Sequence, residues 1–200
     1  MTMFWLAVAA QLSAPVPTNK RLVTSADVPI ELLHEDEIKL VQFRVTVTPQ
    51  GKPQDCQVEV SSGDLKIDAL TCALVKRRAR FRAATDVDGK AAYGVYRAFI
   101  TWWMSSTRGT PPSVTTRDLE IMVKDLPRGI RSPAPVELMF AVDSNGHPSS
   151  CKGERETDHP TLVKIGCDQL VKSFTAVPAR TNVGNPVRSV QNAIVLFIKN

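Results

Sequence analysis

Apolar and polar residues alternate from Val41 to Thr48, with Val41, Phe43, Val45 and Val47 on one side and Gln42, Arg44, Thr46 and Thr48 on the other. A period of two is that of a strand with one face buried. Gln50-Gly51 turns the chain, glycine supplying the backbone freedom, and Val58 and Val60 alternate as a second, antiparallel strand. Ser61, Ser62, Gly63 and Asp64 form a turn of capping residues. The apolar positions that follow, Ile67, Leu70, Leu74 and Phe81, fall roughly at helical spacing. Asp86 to Gly89 is another turn, and Val95 to Trp103 is a closing strand of aromatic and β-branched residues. The predicted order is β-β-α-β.

The order then recurs. Val41 to Cys56 and Val136 to Cys151 place Gly, Pro and Cys at the same offset, 95 residues apart (Gly51 and Gly146, Pro53 and Pro148, Cys56 and Cys151). Cys72 and Cys167 keep that offset, as do Gly89 and Gly184, and the last apolar run, Ala193 to Ile198, lands on Ala98 to Trp103. Phe81 and Phe174 are 93 apart, which predicts a two-residue length change after the helix. An offset held so long marks an internal duplication. The fold class expected is therefore α+β, two tandem β-β-α-β modules, each a small antiparallel sheet packed by one helix. The boundaries are 1–19 for a leader, 20–106 and 114–200 for the modules, and 107–113 for a polar linker containing Pro111-Pro112. Ahead of each first strand lies a short segment. Asp27 to Leu33 reads as a helical turn begun by Pro29, and Asp118 to Lys124 as an extra strand.

Met3 to Ala10 is an apolar run about as long as a signal-peptide core, and Leu12-Ser13-Ala14 offers a small residue for cleavage. Loss of the first 14 or so residues is expected. No basic residue precedes the run and Pro15 follows the cut, so a buried N-terminal element is the competing reading. No run reaches the roughly 18 apolar residues of a membrane-spanning helix.

Cys56 and Cys72 are 16 residues apart, as are Cys151 and Cys167. In each half one lies on the second strand and the other on the following helix, which a helix packed on a sheet can bring within bonding reach. Four cysteines allow three pairings, and the repeat favours Cys56 with Cys72 and Cys151 with Cys167. The alternatives are buried free thiols, or a metal site using His159, which has no counterpart in the first half and no Cys-x-x-Cys beside it. Paired cysteines imply an oxidising compartment such as a bacterial periplasm.

With 43% hydrophobic and 22% charged residues the chain is of globular and not disordered composition. The net charge of +5 argues only for some attraction to anionic surfaces. Lys76 to Arg82 is a dense basic run at a helix end, where cations satisfy the terminal carbonyls and dipole. An anionic lipid, glycan or acidic partner is the other use of it, and no nucleic-acid motif accompanies it. Trp102-Trp103 is read as core and rim packing, with partner binding as the alternative. No Gly-x-Ser-x-Gly, phosphate loop or His-Glu-x-x-His occurs, so no catalytic, metal or cofactor site is expected and the chain is read as a non-enzyme. His34 with Glu35, Asp36 and Glu37 could form an acid/base or metal cluster, but no second histidine stands beside it and a solvated helix end is the favoured explanation.

Taken in order, Gln50-Gly51, Cys56 to Gly63, Ile67 to Cys72, Arg78 to Phe81, Asp86 to Gly89 and a last strand resemble the carboxy-terminal domain of TonB-family energy transducers, present as two tandem copies. The match is fuller over 24–103 than over 118–198, and Asp27-Val28-Pro29 stands where the family often has Tyr-Pro. The resemblance implies a position in the periplasm or envelope of a Gram-negative bacterium. It also implies a protein or peptide partner, such as an outer-membrane transporter, held by strand addition to the sheet. The matching edge is Val95, Tyr96, Arg97, Ala98, Phe99 and Ile100, with Val190 to Val195 as its copy. The Pro-rich spacer of the transducers has no counterpart, so the expected role is peptide binding, linked to TonB-dependent transport, and not force transmission. Competing readings are an anchored transducer whose start lies upstream of Met1, an enzyme or small-molecule binder using the groove between the modules, and a structural envelope protein.

Overall fold

The computed structural model describes residues 12–19, 22–34, 37–104, 110 and 117–200. The first half contains β1 (Val16–Pro17), β2 (Lys39–Val47), β3 (Pro53–Val60), α1 (Leu65–Arg78), β4 (Phe81–Arg82), β5 (Ala84–Thr85) and β6 (Ala91–Trp102). Two short 3-10 turns, Ser25–Asp27 and Ile30–Leu32, precede β2. The second half contains β7 (Leu119–Val123), β8 (Ala134–Val142), β9 (Pro148–Gly153), α2 (Pro160–Ser173), β10 (Ala179–Arg180), β11 (Pro186–Val187) and β12 (Ser189–Lys199). The protein is mixed α+β.

Corresponding elements start 95 residues apart: Lys39 and Ala134, Pro53 and Pro148, Leu65 and Pro160, Ala84 and Ala179. The expected two-residue slip after the helix is corrected. Phe81 N–H donates to Gly51 O at 3.0 Å and Ala176 N–H to Gly146 O at 2.9 Å, so the counterpart of Phe81 is Ala176 and the offset never breaks. Both glycines have positive φ, 73° and 91°, and a Cβ on either would run into the carbonyl oxygen of that same partner. Each hairpin turn therefore docks on the chain leaving its helix, and glycine is required there for shape as well as conformation.

The expectation of two separate small sheets is also corrected. The strands form one eight-stranded sheet in the order β3-β2-β6-β12-β8-β9, with β5 also on β6 and β7 also on β12. The halves join where β6 and β12 run parallel, Tyr93 beside Ser189 and Gly94 beside Val190. Parallel neighbours point the same way. Tyr93 belongs to the face of β6 turned from α1, and Ser189 shares the face of Ala193, Val195 and Phe197, which pack in the α2 core. The two helices therefore cover opposite faces of a continuous sheet. Arg44, on the face turned from α1, accordingly donates to Val177 O beyond α2 at 3.0 Å.

The alternation of β2 becomes the α1 core. Phe43, Val45 and Val47 are fully buried with Val75 and Ala79, and Val41 packs with Ile67, Leu74 and Trp102. Each such side chain contributes about 1.5–3 kcal/mol. On the other face Val136, Leu138, Phe140 and Phe197 pack with Leu162 and Leu170 of α2. Asp64 caps α1, accepting from Lys66 N at 2.8 Å, and His159 caps α2, with Pro160 in its first turn.

Residues 1–11 of the expected leader lie outside the described residues. Leu12 is 5% exposed, against Ala84, Met139 and Val190, and Ser13 exchanges two backbone hydrogen bonds with Thr85. A cut after Ala14 would remove both from the fold. Apart from Thr110, the 107–113 linker also lies outside the described residues. Among those described, no helix is long and apolar enough to cross a membrane.

Candidate functional site: the fork between the closing strands

β6 is covered along one side by β2, from Gly94 against Val47 to Trp102 against Lys39. On its other side β12 pairs with it only at Tyr93 and Gly94. Beyond that point the two strands diverge and β12 takes β7 as its neighbour, parallel, from Leu119 beside Val195 to Val123 beside Lys199. The edge of β6 from Val95 onward has no strand partner among the described residues. A cavity of about 190 Å³ opens in the fork, lined by Arg97, Phe99, Glu137, Asn192 and Ile194 among others.

Which backbone groups face the fork follows from alternation. Ile194 N–H donates to the Asp118 carboxylate at 2.9 Å and Ile194 O accepts from Asp118 N–H at 2.9 Å, so even-numbered residues of β12 aim their backbone at the fork. The parallel register at Tyr93 and Gly94 then aims Val95, Arg97 and Phe99 at the fork and Tyr96, Ala98 and Ile100 at β2.

The six residues expected to form a peptide edge divide by side chain in the same way. Tyr96, Ala98 and Ile100 pack toward the α1 core. The Tyr96 ring lies 5.1 Å from Phe81, and burial pushes its phenol above the usual value. Val95 is buried, and Phe99 is 59% exposed. Arg97 reaches across the fork, donating through Nη1 to both Asp118 oxygens at 2.7 and 2.8 Å and through Nε to Glu59 at 3.1 Å. Burial works against its charge, but Asp118 and Glu59 outweigh it and hold the guanidinium above its ordinary value. The expectation that the second edge copies the first is corrected for its outer end, since β7 covers Val195 onward.

Beyond the fork, a groove of about 350 Å³ runs between the end of β6 and the first 3-10 turn, lined by Val23, Thr24, Ser25, Val28, Thr101, Trp102 and Trp103. Trp102 is buried and donates from Nε1 to Thr71 Oγ1 at 2.9 Å, whereas Trp103 is 48% exposed. The turn is clamped by Asp27, which accepts from Arg78 at 2.6 and 2.7 Å and from Thr24.

Cys56 is bonded to Cys72 and Cys151 to Cys167, with Cα separations of 5.6 and 5.5 Å. Each bridge ties an outer strand of the sheet to its helix. In the basic run, Arg78 is committed to Asp27 and Leu22 O, and Arg80 to the carbonyls of Arg77 and Ala79. His34 N–H donates to Glu37 at 3.2 Å, while Glu35 and Asp36 lie outside the described residues. Among the described residues no three His, Cys, Asp or Glu side chains group to hold a metal ion.

Sequence reasoning missed the acidic pair Glu137 and Glu154. Asn192 Nδ2 donates to Glu137 at 3.1 Å and to Glu154 at 3.4 Å. Burial, then the Glu137 charge, push the Glu154 carboxyl above its usual range. The polar slots of β8 and β12 placed Glu137 and Asn192 on one face, but nothing local marked Glu154 as their neighbour. No family model, curated protein or solved structure matches the chain.

Proposed function

We propose that this chain is a non-enzymatic TonB-like protein of the cell envelope, a tandem of two β-β-α-β modules fused through their closing strands, that binds extended segments of envelope proteins by strand addition at β6. The observation that carries this reading is the fork. β6 is long, held firmly by β2 on one side, and leaves the backbone groups of Arg97 and Phe99 directed at a cavity on the other. Two disulfides favour an oxidising compartment. The matched offset of every major element supports the tandem reading, and the order of motifs supports the TonB resemblance. An outer-membrane transporter is the expected partner class.

The test uses synthetic peptides from the periplasm-facing segments of outer-membrane transporters, titrated onto the full chain and read by isothermal titration calorimetry. Phe99→Ala should keep most of the binding, because backbone pairing supplies it. Phe99→Pro should abolish it by removing a fork-facing donor while leaving the β2 ladder intact. Equal binding by Phe99→Pro and Phe99→Ala, or no binding by the unaltered chain, overturns the reading.

A further inference from the structure

We infer that β7 is a built-in ligand occupying the strand-accepting edge of β12, so that of the two closing strands β6 alone, among the described residues, leaves its fork-facing edge open to a strand from outside; this rests on strand addition as the binding mode. The two halves correspond residue by residue, yet they treat this edge differently. In the second half Leu119 to Val123 lies parallel along Val195 to Lys199, its alternate residues Leu119, Ile121 and Val123 packing on the α2 core and Glu120 and Met122 facing solvent. In the first half the corresponding segment, 95 residues earlier, is Thr24 to Val28. It folds as a 3-10 turn instead, and its Val28 packs on the α1 core without joining a ladder.

The sequence explains the difference. Asp118 to Lys124 contains no proline and alternates apolar with charged or soft residues, as a strand requires. Its counterpart runs into Pro29, which has no N–H to give a ladder, and Asp27 is clamped by Arg78 and Thr24 away from β6. β7 has anchors that its counterpart lacks. Asp118 holds Ile194 at the start of the added strand and is itself held by Arg97, and Asn200 N–H donates to Val123 O at 3.1 Å at the far end. A strand tethered at both ends competes at an effective concentration on the order of millimolar, so a free peptide at micromolar level does not displace it. β7 therefore also shows the pattern such an edge selects: apolar residues two apart, with charged or flexible ones between.

The probe is the blocked peptide with the sequence of Arg117 to Lys124, added to the full chain. Amide hydrogen exchange at Leu196 and Ile198, whose N–H groups face β7, and at Arg97 and Phe99 is followed together with the stoichiometry. In the unaltered chain Leu196 and Ile198 should be protected already, and one peptide should bind, protecting Arg97 and Phe99. Leu119→Asn/Ile121→Asn should speed exchange at Leu196 and Ile198 by about tenfold or more. Added peptide should then restore their protection, with two peptides bound per chain. Asp118→Asn serves in the same way should the double variant not fold. Free exchange at Leu196 in the unaltered chain, two peptides bound to it, or no restoration in the variant overturns the inference. Restoration at β12 without any binding at β6 would instead sustain β7 as a ligand and refute β6 as the open site.

Discussion

Replacing Gly51 with alanine should cost far more than the same change at Gly63, though both glycines have positive φ, 73° and 85°. The left-handed backbone alone costs an L-residue about 1–2 kcal/mol. At Gly63 nothing lies within 4 Å of the added Cβ, so that is the whole effect. At Gly51 the Cβ meets the carbonyl oxygen of Phe81, a backbone atom that cannot rotate away. The chain leaving α1 must shift, weakening the 3.0 Å bond from Phe81 N–H to Gly51 O, worth about 0.5–1.5 kcal/mol, and disturbing a buried ring. The sum for Gly51→Ala is about 1.5–3.5 kcal/mol before any cost of the disturbed ring, against about 1–2 for Gly63→Ala. Urea unfolding of the oxidised chain, followed by tryptophan fluorescence, measures both. Gly146→Ala should behave like Gly51→Ala, because its Cβ meets the oxygen of Ala176 in the same way. Equal losses at Gly51 and Gly63 would show that the hairpin turn does not dock as described.

Reducing either bridge should lower stability by about 3 kcal/mol, since each closes a 16-residue separation; peptide mapping without reductant should find Cys56 with Cys72 and Cys151 with Cys167, and cross-half pairs would contradict the fold. The folded Glu154 carboxyl titrates above its ordinary 4.5, so its contribution is fully present below that value and is lost as pH rises through the folded one. Glu154→Gln should therefore raise neutral-pH stability relative to the parent and flatten that loss, and an unchanged pH profile of thermal unfolding would refute the assignment. Asp27 is shifted the other way, far below 3.8 by Arg78 and Thr24, so its contribution is present above that value and disappears as pH falls; Asp27→Asn should weaken the chain at neutral pH and make acid unfolding shallower. If the chain is exported with its leader removed, mass spectrometry of the mature envelope form should find Leu12 and Ser13 retained, whereas a start at Pro15 would be inconsistent with their place in the fold.

What the sequence determined by itself is local. The period-two alternation of Val41 to Thr48 became β2, and the helical spacing after Asp64 became α1. The equal cysteine spacings became two bridges within the halves, because a strand followed by a packed helix fixes that geometry over a short stretch of chain. The proline-free run at Asp118 read as a strand, and is one. The 93-residue spacing of Phe81 and Phe174 misled because two phenylalanines were matched by identity, whereas backbone bonding to Gly51 and Gly146 fixes the true correspondence. Only the tertiary structure decided how the halves combine. β6 and β12 carry similar patterns of apolar and β-branched residues, and nothing in such a pattern says whether a free edge meets solvent, a partner or the other strand. The parallel contact at Tyr93 and Gly94 settled that, and with it came the opposite placement of the helices, the fork spanned by Arg97 and Asp118, and the seat of β7 on β12. Such contacts join residues 21 to 96 positions apart, and their energy depends on which faces the whole chain brings together.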